Sequence, residues 1–260
     1  MVQGARIAVN RARIKHAEKT SLQQTLTSSH TSAVSKYMDL AVGAGGPFAF
    51  LRYELACWLL APMPGSLGYL LRGLIYPRLF LSSGKGLVIG RNVCLRHPAM
   101  IRLGRSVVID DDCVLDAKGG SSGGVSIGDG VFIGRNTILS CKGGSIEIGH
   151  NSNISAGCTL LSESTLSIGR NVLVAGMTYI VAGGNHGIER VDLPIIAQPC
   201  ASKGGVRIGD NCWIGAGVTI LDGVQIGRDT VVGAGAVVIE SLPEFAVAAG
   251  VPAKIIRMRR

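Results

Sequence analysis

From Ile208 to Leu242 the chain repeats every six residues. Ile208, Ile214, Ile220, Ile226, Val232 and Val238 keep that spacing unbroken, and four residues after them stand Cys212, Val218, Val224, Thr230, Ala236 and Leu242. A period of six matches neither the 3.6-residue turn of a helix nor the simple alternation of a long strand. It matches a short strand followed by a corner, with one large and one small side chain directed inward each time. The spacing therefore predicts a parallel β-solenoid in which three hexads close one triangular coil and stacked coils bury the inward residues as ladders. The corners read Gly-Asp-Asn, Gly-Ala-Gly and Gly-Arg-Asp, residues that tolerate positive φ. Spacing alone leaves the hand of the coil open, and the general preference of parallel crossovers is right-handed.

The rhythm extends backwards through the triplets Ile168, Val174, Ile180; Ile148, Ile154, Leu160; Ile127, Ile133, Leu139; and Leu103, Ile109, Leu115. Ile89, Leu95 and either Ile101 or Leu103 mark an imperfect opening coil. Extra residues enter after the third hexad, at about 116–126, 141–147, 161–167 and 182–207, so the insertions are expected to emerge along one edge. The solenoid is expected to occupy residues 82–260, with a protruding loop at 182–207. A loop of that length inside a compact fold is usually functional.

Composition agrees with a solenoid of tight corners, since 37 glycines accompany an aromatic share of 5%. A net charge of +9 favours anionic partners such as phosphate-bearing cofactors or acidic lipid. No basic stretch is interleaved with exposed aromatics, so no nucleic-acid partner is expected. Cys113, Cys158 and Cys212 occupy the small inward position and are expected to behave as buried hydrophobes. None of the seven cysteines sits in a Cys-x-x-Cys pair, and no secretory signal is visible, so a reducing cytoplasm is the expected compartment.

Residues 1–30 are basic and rich in Ser and Thr and read as a mobile tail. Residues 31–81 read as helical, with Ser32 capping a first helix that runs through Val42, a second segment from Phe48 to Leu60, and a third from Ser66 to Phe80. None reaches the roughly 18 to 20 apolar residues of a spanning helix. Arg52, Arg72 and Arg78 beside Trp58, Tyr53 and Tyr69 suit helices in a membrane interface, in which case the protein would be peripheral at the inner face. A helical cap over the open first coil suits the same residues, and both readings stay open.

Of the five histidines, His97 and His150 fall at corners and read as solvated turn residues. His16 and His30 lie in the tail, and of the solenoid histidines only His186 sits outside the repeat, in the long loop, within Gly-Gly-Asn-His-Gly, which marks it as the functional candidate. Asp110, Asp111 and Asp112 share a corner and read as solvent-facing, while Asp116 and Lys118 open the first insertion and could touch a polar acceptor.

Asn185-His186, then Pro194 and Gln198, then Val206 to Ala216, Ile220-Leu221-Asp222-Gly223-Val224, Val232 to Val238 and Ala249-Gly250-Val251-Pro252-Ala253-Lys254 resemble the hexapeptide-repeat acyltransferases. They are similar to the galactoside, maltose and xenobiotic O-acetyltransferases and to acetyltransferases of surface-polysaccharide assembly. The resemblance covers about residues 85 to 260. It implies a left-handed β-helix, a homotrimer, and acyl-CoA, in the first instance acetyl-CoA, lying between adjacent solenoids as acyl donor. It implies His186 as general base with Asn185 beside it in the catalytic loop. Trp213 and Ala216 would line the cofactor groove, Ala234 would meet the pantetheine arm, and Lys254 and Arg257 the CoA phosphates. A sugar or glycan hydroxyl is the implied acceptor, with N-acylation of an amino sugar or a non-catalytic trimeric scaffold as alternatives. No metal is expected: a γ-class carbonic anhydrase shares this fold but needs three zinc-binding histidines. Ile239-Glu240 departs from the Thr-Lys pair common in relatives, and Ala156-Gly157-Cys158 stands where some carry an asparagine.

Overall fold

The computed structural model describes residues 32–43 and 45–259, so the basic tail expected at 1–30 lies outside the described residues. Each hexad forms a short strand and then a corner, and the strands stack into three parallel sheets, faces A, B and C, over about seven coils. The fold is the expected parallel β-solenoid with N-terminal helices, consistent with the left-handed form. On face B, Ile89, Ile109, Ile133, Ile154, Val174, Ile214 and Val232 are in register and buried. Face C stacks Leu95, Leu115, Leu139, Leu160, Ile180, Ile220 and Val238 in the same way. Burying one such side chain contributes about 1.5–3 kcal/mol. Exposed ion pairs between corners, such as Arg170–Asp210 at 2.8 Å, contribute much less, so the ladders decide the fold.

The small inward positions do more than fill space. Cys113, Cys158 and Cys212 are buried, and their thiols donate to the carbonyls of Gly134, Ala175 and Gly227 in the next coil. Thr137 and Thr230 make the equivalent bond to Ser155 and Pro243. The corner aspartates are likewise engaged: Asp111 accepts from the Arg91 amide at 2.6 Å and Asp112 from the Asn92 side chain at 3.1 Å. They tie neighbouring coils together, Asp112 while exposed as expected and Asp111 half-buried.

The insertions differ from expectation. At 116–126, 141–147 and 161–167 most of the extra residues lengthen strands, giving Gly119–Ile127, Gly143–Ile148 and Thr165–Ile168 on face A. Ile101, Val125, Ile146, Leu166 and Val206 form a second buried ladder beside Leu103, Ile127, Ile148, Ile168 and Ile208. Leu103 thus keeps the main ladder and Ile101 the added one. The physical reason is local alternation, as in Val125-Ser126-Ile127, which widens the wall between faces C and A. Only the stretch after Ala182 leaves the solenoid as a loop. Asp116 lies on face C against Arg96, with 3.7 Å between charged atoms, and does not open a loop edge.

Three helices close the open first coil: α1 (Ala33–Ala41), α2 (Gly46–Leu60) and α3 (Gly65–Ile75). Ser32 caps α1, its hydroxyl accepting from the Ser35 amide. The Tyr53 hydroxyl donates to Leu95 O at 2.6 Å. Arg72 is fully buried and donates to Ile89 O, Leu60 O and Met63 O at 2.9, 2.8 and 2.7 Å. Arg72 and Tyr53 therefore face the solenoid and do not lie in an outer interface. His97 is half-buried, its Nε2 2.9 Å from Asp39 O and its amide donating to Ala41 O, so it fastens α1 to the first coil and is no solvated turn.

Candidate active site

The loop leaves face C after Ala182 and returns to face A at Val206. Within it, Asn185–His186 pairs antiparallel with Cys200–Ala201, and the Gly187 amide extends the hairpin by donating to Pro199 O. Beyond the hairpin, buried Gln198 clasps the tip: its amide donates to Arg190 O at 2.8 Å and to Leu193 O at 3.3 Å, and its carbonyl accepts from the Arg190 amide at 3.2 Å. His186 is exposed on this frame.

The root of the loop is held by Asp222, a buried carboxylate in the corner between faces C and A. It accepts from the Asn185 side chain at 2.6 Å, the Lys203 amide at 2.5 Å and the Gly205 amide at 2.9 Å. Burial opposes its ionisation, but the amides of Lys203, Gly183 and Gly205 and the Asn185 side chain outweigh this and hold its pKa below the ordinary aspartate value. The approach is close: a Cβ at Gly223, where φ is 89°, would stand 2.9 Å from Lys203 Cβ. Both ends of the hairpin are thus bound to a single corner.

The expected cofactor residues gather elsewhere. Trp213 pairs with Val231, Val231 with Val247, and Val247 with Arg257, so Trp213 and Arg257 lie in one cross-strand row on face B. At strand spacings this row spans roughly 14 Å. Ala216 and Ala234 are exposed and stack at the corner between faces B and C, where the Gly235 amide donates to Ala216 O. Lys254 stands 3.7 Å from Glu240, the residue that departs from the relatives' pattern. The loop is rooted at the corner between faces C and A, so one chain does not join His186 to this row by any hydrogen bond or ion pair among the described residues.

Two family models match the chain: "Bacterial transferase hexapeptide (six repeats)" at residues 205–240 and "Hexapeptide repeat of succinyl-transferase" at 124–162. WbbJ of Escherichia coli (strain K12), named for O-acetyl transfer in lipopolysaccharide biosynthesis, is 33% identical over 144 residues, which cover 53% of this chain and 73% of that protein. The chain belongs to the hexapeptide-repeat acyltransferase family. Galactoside O-acetyltransferase of the same E. coli strain is 37% identical over 117 residues, 44% of this chain and 55% of that one. Among solved structures, the N-acyltransferase AntD of Bacillus cereus in complex with dTDP and 3-hydroxybutyryl-CoA is 28% identical, with 70% of this chain and 84% of that chain covered and a TM-score of 0.49. The chain spans about half the length of several curated relatives it matches.

For this hexapeptide-repeat acyltransferase family member, spacing singled out His186 but not Asp222, which sits among corner residues that look alike in sequence. The available signal was a carboxylate at the face C–A corner of the coil directly after the long loop. Gln198 belongs to the matching residues, but its role as the clasp of the loop appears only in three dimensions. Among the described residues no group of three His, Cys, Asp or Glu side chains could hold a metal ion.

Proposed function

We propose that the chain transfers an acyl group, in the first instance acetyl, from acyl-CoA to a hydroxyl of a sugar or surface-glycan precursor, with His186 as general base. The observation that carries this reading is the exposed His186 on a hairpin whose preceding residue is tied to Asp222. Family membership supports the acyl donor. In the proposed reaction the neutral imidazole takes the proton of the acceptor hydroxyl as its oxygen attacks the thioester carbonyl. Backbone N–H groups stabilise the oxyanion, and the thiolate of CoA leaves. The acyl group passes directly to the acceptor, so the chain supplies no nucleophile. Asn185, whose amide is engaged by Asp222, serves to position His186.

The cofactor row supports an extended acyl-CoA running from Trp213 towards Arg257, past Ala216 and Ala234. The exposed Lys254–Glu240 pair contributes little by itself and leaves Lys254 open to exchange Glu240 for a phosphate.

A homotrimer completes the site. The outward row of face A is polar, Arg102, Ser126, Glu147, Ser167, Arg207 and Gln225. Faces B and C instead leave Phe132, Leu173, Trp213, Ile138 and Tyr179 exposed, as the loop does Ile195 and Ile196. Packing two such faces against neighbours buries this apolar surface and sets the loop of one subunit over the cofactor row of the next.

The test incubates purified protein with acetyl-CoA and a panel of glycans bearing free hydroxyl or amino groups, with released CoA as readout. Acetylation of a hydroxyl, lost in His186→Ala, is expected. Release of CoA no faster than hydrolysis with every acceptor would overturn the reading and leave a scaffold.

A further inference from the structure

The helical cap carries polarity the wrong way round for a protein surface in water. Helix α3 turns Arg72 and Gly68 inward, where Arg72 satisfies three main-chain carbonyls, and leaves Leu67, Leu70 and Leu74 outward at 57–59% exposure. Helix α2 is apolar on two faces. Tyr53, Ala56 and Leu60 are buried against the solenoid, while Phe48, Leu51, Leu55, Trp58 and Leu59 follow one another at helical spacing on the opposite side. Phe48 is 81% exposed and Trp58 75%. A helix apolar on two opposite faces is normally covered on both sides, and an exposed apolar surface of this kind marks an interaction site.

Between these helices lies a groove of about 270 Å³ lined by Leu55, Ala56, Leu59, Ile75 and Leu79, with Arg52 and Arg78 at its edge. No acidic residue lines it. Arg78 donates one bond to Leu74 O, and Arg52 makes no hydrogen bond or ion pair among the described residues. The chain preceding the cap, residues 1–31, holds Arg6, Arg11, Arg13, Lys15 and Lys19 against the single acid Glu18. Apolar helix faces edged by arginines that make no ion pair among the described residues, in a chain whose first 31 residues are basic, match an anionic bilayer surface in both polarity and charge. No helix among the described residues is long and apolar enough to cross a membrane, so the match is to a surface on which the cap lies.

We propose that the outer face of α2 and α3 docks on an anionic phospholipid bilayer, with the groove taking one acyl chain and Arg52 and Arg78 pairing with lipid phosphate. The chain then both closes the solenoid with the inner face of its cap and attaches it to a membrane with the outer face.

This inference does not rest on acyl transfer, and its test needs neither acyl-CoA nor acceptor. Full-length protein is sedimented with phosphatidylglycerol–phosphatidylcholine vesicles and with phosphatidylcholine vesicles, at low and high salt. A Trp213→Phe background leaves Trp58 as the single tryptophan for quenching by brominated acyl chains. Binding that needs the anionic lipid, weakens with salt and quenches Trp58 is expected. Arg52→Glu with Arg78→Glu should lower partitioning by about 30-fold or more. Leu55→Asp with Leu70→Asp should abolish it while the melting temperature holds, because both side chains are exposed. If that variant unfolds, the arginine variant and the Trp58 quenching decide. Equal binding to both vesicle types, unquenched Trp58, or undiminished binding of the folded leucine variant would overturn the proposal. So would a leucine variant whose mass by light scattering falls to half, since the face would then cover a second copy of the assembly.

Discussion

Asn185 and Asp222, 37 residues apart in sequence, meet at 2.6 Å and fix where the loop begins relative to the coil that follows it. Replacing Asp222 by Asn retains the shape but sets an NH₂ group against amides that need an acceptor. A loss of roughly 1–3 kcal/mol in stability is expected. The turnover number should fall while the KM for acyl-CoA holds, because the loop root and the cofactor row are separate. Denaturant titration and steady-state kinetics of Asp222→Asn measure both.

The same carboxylate makes loop anchorage sensitive to acid. Its folded pKa is lowered, so in the unfolded chain it takes up a proton first. The stability it contributes is complete above the ordinary aspartate pKa of about 3.9 and is lost as pH falls through the lower folded value. Limited proteolysis of the loop across that acid range should show cleavage rising in the wild type and already high at neutral pH in Asp222→Ala.

His186→Ala should reduce acyl transfer by about 10²–10⁴-fold, the usual cost of removing a general base. Its exposed side chain predicts an unchanged melting temperature and unchanged acyl-CoA affinity by calorimetry. Activity within a few-fold of wild type would remove His186 from the reaction.

Face C carries the assembly prediction. Ile138→Glu sets a charge into the outward apolar row and should yield monomers by light scattering together with loss of turnover. Ser167→Lys, on the polar row of face A, should leave mass and turnover unchanged.

His97 couples the cap to pH. Burial holds its imidazole below the ordinary histidine value, against the hydrogen bond to Asp39 O. The stability it contributes is therefore present above about pH 6.5 and declines as pH falls through the lower folded value. Hydrogen exchange in α1 should speed up over that window, and His97→Ala should flatten the response.

The three ladders were legible because each inward position recurs at six, which sets Ile208, Ile214 and Ile220 on successive inner faces of a solenoid. The widened wall was harder to see. Its alternation in Val125-Ser126-Ile127 and Leu166-Ser167-Ile168 occupies only three residues and hides inside apparent insertions. Arg72 misled for a physical reason: an arginine among leucines reads as a surface residue until the carbonyls of Ile89, Leu60 and Met63 are in view. His186 was legible as an outlier from the repeat. Asp222 was not, since spacing says nothing about where a loop of more than twenty residues lands.

The widened wall also governs how this chain can change in length. Between the face C and face A ladders the step is six residues from Ile220 to Ile226, eight from Leu95 to Leu103 and from Leu160 to Ile168, and twelve from Leu115 to Ile127. All are even, because each added pair returns the next side chain to the same side of the sheet. The step from Leu139 to Ile148 is nine, and where it pairs with the twelve-residue step before it the register shifts, Gly143 facing Gly119 and Ser145 facing Gly124. The three-residue difference between the two steps is taken up there as a bulge in the longer strand. Insertions and deletions in this wall are therefore filtered by parity: two residues widen it, while one must find a bulge or turn the interior out.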